Sequence, residues 1–129
     1  MSDLKTSIAP MLSVRHGARA VAFYRLAFGA QELFRMDDAS GAVVAQLAVG
    51  DAQFWVADES PQHANFSPES LHGSTTRMIL TVEDPAAVFE QAVAAGATVV
   101  SPVQKGHGWL LGRCLDPFGH HWEIGKPLD

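Results

Sequence analysis

Two spacings of apolar residues alternate along this chain, and the alternation occurs twice. Residues 8–14 form a β-like run, after which Ala20, Val21, Tyr24, Ala27 and Phe28 recur at three- and four-residue intervals, one face of an amphipathic helix. Gly29 stands where that helix needs a residue tolerant of positive φ to stop it. Strands are expected over 31–36, 43–49 and 53–57, separated by turns at Asp37-Asp38-Ala39-Ser40-Gly41 and Gly50-Asp51. A polar stretch rich in Pro, Ser and His, 58–74, reads as a connecting loop long enough to suggest a role of its own.

The order then recurs. Residues 75–82 read as a strand, and Asp84-Pro85 supplies an N-cap followed by proline at the first helical position. Val88, Phe89, Ala92 and Val93 mark a second buried helix face that ends at Gly96. Strands follow over 98–103, 109–115 and 120–124, with Asp116-Pro117-Phe118-Gly119 as a tight turn. Placing Val14 on Val82 superposes strand, helix, Gly-Ala and three strands on their counterparts, so the chain reads as two copies of a βαβββ unit. The expected fold class is α+β in a single domain, 1–129. Its first module spans about 8–58, a linker 59–74, and the second module about 75–125.

Composition narrows the function only by exclusion. At 47% hydrophobic and 18% charged residues the 129-residue chain is an ordinary globular sequence that can bury a core. Nine basic residues against fourteen acidic ones give a net charge of −5, without a cationic cluster. That balance argues against nucleic-acid and anionic-membrane partners. No apolar run approaches a membrane span, Met1-Ser2-Asp3-Leu4-Lys5 lacks a signal-peptide core, and the single Cys114 can form no internal disulfide. A reducing cytoplasm is the expected setting.

The helix end Phe28-Gly29-Ala30, the preceding Phe23-Tyr24, and the turn Asp116-Pro117-Phe118-Gly119-His120-His121-Trp122-Glu123 resemble the vicinal oxygen chelate superfamily, and within it the PhnB-like branch. That superfamily includes glyoxalase I, extradiol dioxygenases, fosfomycin-resistance enzymes and bleomycin-binding proteins. The resemblance implies a half-barrel cavity, a homodimer, and in catalytic members a divalent metal held by four His, Gln or Glu side chains. Two of these come from the first strand of each module and two from the last. Counting back five from Val14 and Val82 gives Ala9 and Arg77; overlaying the hairpins gives Trp55 (or Gln53, two residues away) and Glu123. Only Glu123 is an ordinary ligand, since alanine has no donor atom and the guanidinium stays protonated. No metal ligand set is therefore expected. Arg77 and Glu123 are instead expected to pair across the cavity, the cation standing where a metal's charge would be.

His121 shares a strand face with Glu123, and the two are the candidates for acid–base work. Trp55 and Trp109 offer flat surfaces to an aromatic ligand, with Gln53 beside them; Phe66, isolated in a polar loop, suits a lid or a partner contact. His63, His72 and His107 read as solvated loop histidines, and Cys114 as a small core residue. The expected function is a small-molecule binding protein without metal or other cofactor. It would sequester a flat or aromatic ligand, in the antibiotic-resistance manner, through Trp55, Arg77, Trp109, Gln53, Phe66, His121 and Glu123. The alternative is a metal-dependent lyase or isomerase of the glyoxalase I type, or a dioxygenase-like enzyme, with Glu123 as base or ligand.

Overall fold

Each half of the chain closes a four-stranded sheet around one helix. A computed structural model describes residues 3–129. The first half contains β1 (Met11–Val14), α1 (Gly17–Phe28), β2 (Gln31–Asp37), β3 (Val43–Val49) and β4 (Ala52–Asp58). After a 3-10 turn at Pro61–His63 and a short helix α2 (Pro68–Leu71), the second half repeats the order. It runs β5 (Arg77–Thr81), α3 (Pro85–Ala95), β6 (Thr98–Gly106), β7 (Trp109–Leu115) and β8 (His121–Pro127). The sheets are ordered β1-β4-β3-β2 and β5-β8-β7-β6; the first pair of each is parallel and the rest antiparallel.

Local chemistry sets the element ends. Gly29 adopts φ 68°, and its N–H and that of Ala30 return to the Arg25 and Tyr24 carbonyls, which closes α1. Asp84 caps α3 by accepting the Ala87 N–H at 3.2 Å. The first strand begins at Met11 rather than at residue 8, and β8 starts at His121 and runs on to Pro127. His120 is instead buried, and its Nε2–H donates to the Ser13 carbonyl at 2.9 Å, bridging the two halves.

Strand phase decides which side chains reach the core. Leu12, Val14, Ala45, Leu47, Phe54 and Val56 face α1, while Leu80, Cys114, Trp122 and Ile124 face α3. The two helices pack on each other, so both halves feed one interior. Trp122 from the second half lies against Tyr24, Phe28 and Phe54 from the first, with ring centroids 4.5–5.6 Å apart. Rings of this size each hide roughly 150–250 Å². At about 25 cal/mol per Å² this burial outweighs any single polar link between the halves.

A polar link is nonetheless present. Asp116, 3% exposed, accepts the Tyr24 hydroxyl at 2.5 Å and the Trp122 indole N–H at 3.0 Å on one oxygen. Its other oxygen takes the Phe118 and His120 N–H groups. Burial, followed by the Asp116 charge, raises the Tyr24 pKa well above its ordinary value, so the hydroxyl remains a donor.

The stretch 59–74 is a built segment. Glu59 accepts the Ser67 N–H at 2.8 Å and the Ser70 hydroxyl at 2.9 Å, and Ser67 caps α2. The Ser67 N–H is the main reason that the Glu59 carboxyl lies below its ordinary pKa; burial opposes it. Arg15 adds contacts to Ser70 and Glu59.

Candidate functional site

The face of each sheet turned away from its helix is left uncovered. On the first sheet this face carries Met11, Ser13, Gln46, Gln53, Trp55 and Phe34, in the strand phase opposite to the core residues. On the second it carries Arg77, Ile79, Leu111, Arg113, His121 and Glu123. The two faces differ in kind: the first mixes apolar and aromatic groups with neutral polar ones, and the second carries four ionisable side chains.

Register brings four chemistry-bearing side chains together on the second sheet. Arg77 lies opposite His121 across the parallel β5–β8 pair, and Arg113 opposite Glu123 across the antiparallel β7–β8 pair. Arg77 Nη1 stands 3.0 Å from Glu123 Oε2. The Glu123 side chain is 13% exposed and that of Arg77 57%. Solvent therefore screens the cation, and the pair contributes on the order of 0–1 kcal/mol. No N–H is aligned on Glu123 Oε2, so its hydrogen-bonding capacity is unspent.

Two further buried atoms on this face have no hydrogen-bond partner, Arg113 Nε and His121 Nδ1. The His121 pKa is lowered from 6.5, by burial first and then by Arg113, with His120 and Arg77 adding and Asp116 opposing. A neutral imidazole at pH 7 leaves two guanidinium groups facing one carboxylate. Arg113 was missed in the sequence, where it hides in the apolar run Leu110-Leu111-Gly112-Arg113-Cys114-Leu115. Extending the hairpin pairing outward from the Asp116–His120 turn would have placed it beside Glu123.

The remaining candidates are dispersed. Trp55 lies on the first sheet, its ring 6.1 Å from Phe34, and the same backbone count that pairs it with Met11 pairs Glu123 with Ile79. Trp55 and Glu123 thus hold equivalent positions in the two halves. Gln53 donates no hydrogen bond to this group; its amide oxygen accepts from Gln46 Nε2 at 2.9 Å. Gln53 and Arg77 share a crevice of about 340 Å³ with Pro10, Met78 and Trp122. Trp109 shares the face of Arg113 but lies four residues along β7, roughly 14 Å away. Phe66 lines a separate cleft of about 590 Å³ with Met11, Ser13, Leu71, Thr76 and His120. Ala9 precedes β1.

The four positions at which the resemblance implies metal ligands are thus Ala9, Trp55, Arg77 and Glu123, one donor among four. Such a set does not fit a divalent ion, which needs several converging deprotonated donors. Among the described residues no group of three or more His, Cys, Asp or Glu side chains is placed to hold one. No helix among them is long and apolar enough to cross a membrane.

Comparison with known proteins agrees with the architecture. The family model described as Glyoxalase/Bleomycin resistance protein/Dioxygenase superfamily matches residues 8–124. A Mycobacterium bovis protein is 36% identical over 131 residues, covering 98% of this chain and 86% of that one. Two solved structures are similar at 29% identity. TioX from Micromonospora sp. ML1 has a TM-score of 0.72 and covers 95% of this chain and 100% of its own. A gene product from Arabidopsis thaliana has a TM-score of 0.70, with 93% and 96% covered.

Proposed function

The chain belongs to the Glyoxalase/Bleomycin resistance protein/Dioxygenase superfamily, and from that premise we propose that it is a metal-independent binding protein that sequesters a flat or aromatic small molecule. The observation that carries the reading is the identity of the side chains at the chelating positions. A guanidinium 3.0 Å from Glu123 supplies the positive charge there, and an indole occupies the place equivalent to Glu123 in the first half. Stacking on Trp55 contributes ~0.5–1.5 kcal/mol beyond the area buried, while Arg77, His121 and Glu123 fix polar groups. In this reading the chain is of the PhnB-like branch and works in a reducing cytoplasm.

The working form we propose is a homodimer. Within one chain the halves meet through their helices, so neither open face covers the other. Met11, Phe34, Met36 and Ile79 are large apolar side chains left largely exposed. Setting the first sheet of one copy over the second sheet of another covers them and brings a Trp55 wall to the Arg77–Glu123 row.

The test combines metal analysis of the purified protein with calorimetric titration against planar natural products. Expected are a metal content far below one ion per subunit, and binding that weakens about tenfold in Trp55→Ala. About one divalent ion per subunit, lost in Glu123→Ala, would overturn the reading in favour of a metal-dependent lyase, isomerase or dioxygenase-like enzyme.

A further inference from the structure

We propose that Arg113 anchors an oxyanion of the bound molecule, so that the ligand is a flat compound bearing a carboxylate or a phosphate-type group. The inference rests on the binding function argued above and adds the charge class of the ligand. Arg113 sits in the middle of β7, half-buried between Leu111 and Leu115 on the open face. Its Nε is buried, and among the described residues its guanidinium has neither a hydrogen bond nor a carboxylate within ion-pair distance. The buried Nε leaves one N–H donor on this face without an acceptor, which an oxygen of a ligand would supply.

Among the described residues the nearby carboxylates are Glu123 and Asp116, and neither is within ion-pair distance of the Arg113 guanidinium. Glu123, the cross-strand neighbour, forms its ion pair with Arg77 at 3.0 Å, one negative charge against two guanidinium groups. Asp116 is occupied by Tyr24, Trp122 and two backbone N–H groups. One positive charge of this row is therefore unmatched within the chain. The planar fork of a guanidinium fits two oxygens of one carboxylate or phosphate. His121 Nδ1, buried beside it and unpartnered, is a second group for the same anion when that nitrogen carries the proton. Glu123 Oε2, with no N–H aimed at it, accepts from a hydroxyl or amine elsewhere on the ligand.

The experiment titrates three probes that share one ring system, 2-naphthoate, 2-naphthyl phosphate and uncharged 2-naphthalenemethanol, into the full chain by calorimetry. At least one anionic probe is expected to bind about tenfold or more tightly than the alcohol, as a charge-assisted bidentate contact supplies. The better of the two anions identifies the group. Arg113→Gln should level the three, Arg113→Lys should keep a reduced preference, and Trp55→Ala should weaken all three alike. If the alcohol binds as well as both anions, the oxyanion anchor is overturned while small-molecule binding stands. If no naphthyl probe binds, the aromatic reading fails and the anchor is read alone, from the Arg113 Nε–H signal in NMR. That signal, identified by its absence in Arg113→Gln, should shift and saturate with inorganic phosphate or acetate. A signal that neither anion moves overturns the anchor, as it would if an acidic side chain of a second copy already filled the place.

Discussion

Removing the Asp116 carboxylate should be among the most damaging single changes in the molecule, although the residue touches no open face. In Asp116→Ala the Tyr24 hydroxyl, in a fully buried residue, and the Trp122 indole N–H both lose their acceptor. A buried donor left without a partner costs ~1–3 kcal/mol, so the two stranded side-chain donors alone imply about 2–6 kcal/mol, to which the released Phe118 and His120 N–H groups add. That is a large part of the ~5–15 kcal/mol that holds an ordinary domain folded. Asp116→Asn keeps one carbonyl oxygen, which can serve the two side-chain donors or the two backbone N–H groups but not both pairs, and should cost roughly half as much. Urea unfolding followed by tryptophan fluorescence measures the effect. With a slope of about 2 kcal/mol per molar, the Asp116→Ala midpoint should fall by roughly 1–3 M. The double variant Tyr24→Phe with Asp116→Ala should lose less than the sum of the single changes, because one stranded donor is gone. A midpoint drop below about 0.5 M for Asp116→Ala, or strict additivity in the double variant, would refute this account of the link between the halves.

Two further outcomes concern Gly17 and His121. A Cβ at Gly17 would collide with Asp58 Oδ1 and lie 3.2 Å from Val43 Cβ. Gly17→Ala should therefore lower the thermal midpoint despite alanine's helix preference, with a loss of about 1–3 kcal/mol. A midpoint at or above wild type would show that Asp58 moves aside freely. His121 gives a pH signature, because its folded pKa lies below the unfolded 6.5. The unfolded chain then takes up this proton first as the pH falls. Stability present above 6.5 should decline below it and level off under the folded value. His121→Gln should flatten that part of a melting-temperature profile taken from pH 8 to 5, and an unchanged acid slope would assign it to another group.

Much of the architecture was readable because the periodicity is written twice and the stop signals are unambiguous: Gly29 and Asp84 act as their positions suggest. The family resemblance, with one hairpin laid on the other, gave Trp55 or Gln53 as the counterpart of Glu123 and set Arg77 beside Glu123; the backbone register places Trp55 at that counterpart, and Arg77 lies 3.0 Å from Glu123. The segment 59–74 was not legible, since its order comes from Glu59, Ser67 and Ser70 bonding one another rather than from any apolar rhythm. Arg113 was hidden for a related reason. A charged residue inside an apolar run looks like an exception until pairing across the turn shows what stands beside it. The separation of Phe66, which lines a cleft with Met11 and His120, from Trp55, which lies against Phe34 on the open face, depends on how the two halves are set against each other, which no local pattern encodes.

The shared interior also bears on how such a duplicated chain could have arisen. Split at the middle, each half would turn part of its ring cluster to water: Tyr24, Phe28 and Phe54 on one side, Trp122 on the other. A half-length ancestor could have sealed that surface only by adhering to a twin. In the joined chain the two counterparts of one ladder site carry different groups, an indole at Trp55 and a carboxylate at Glu123.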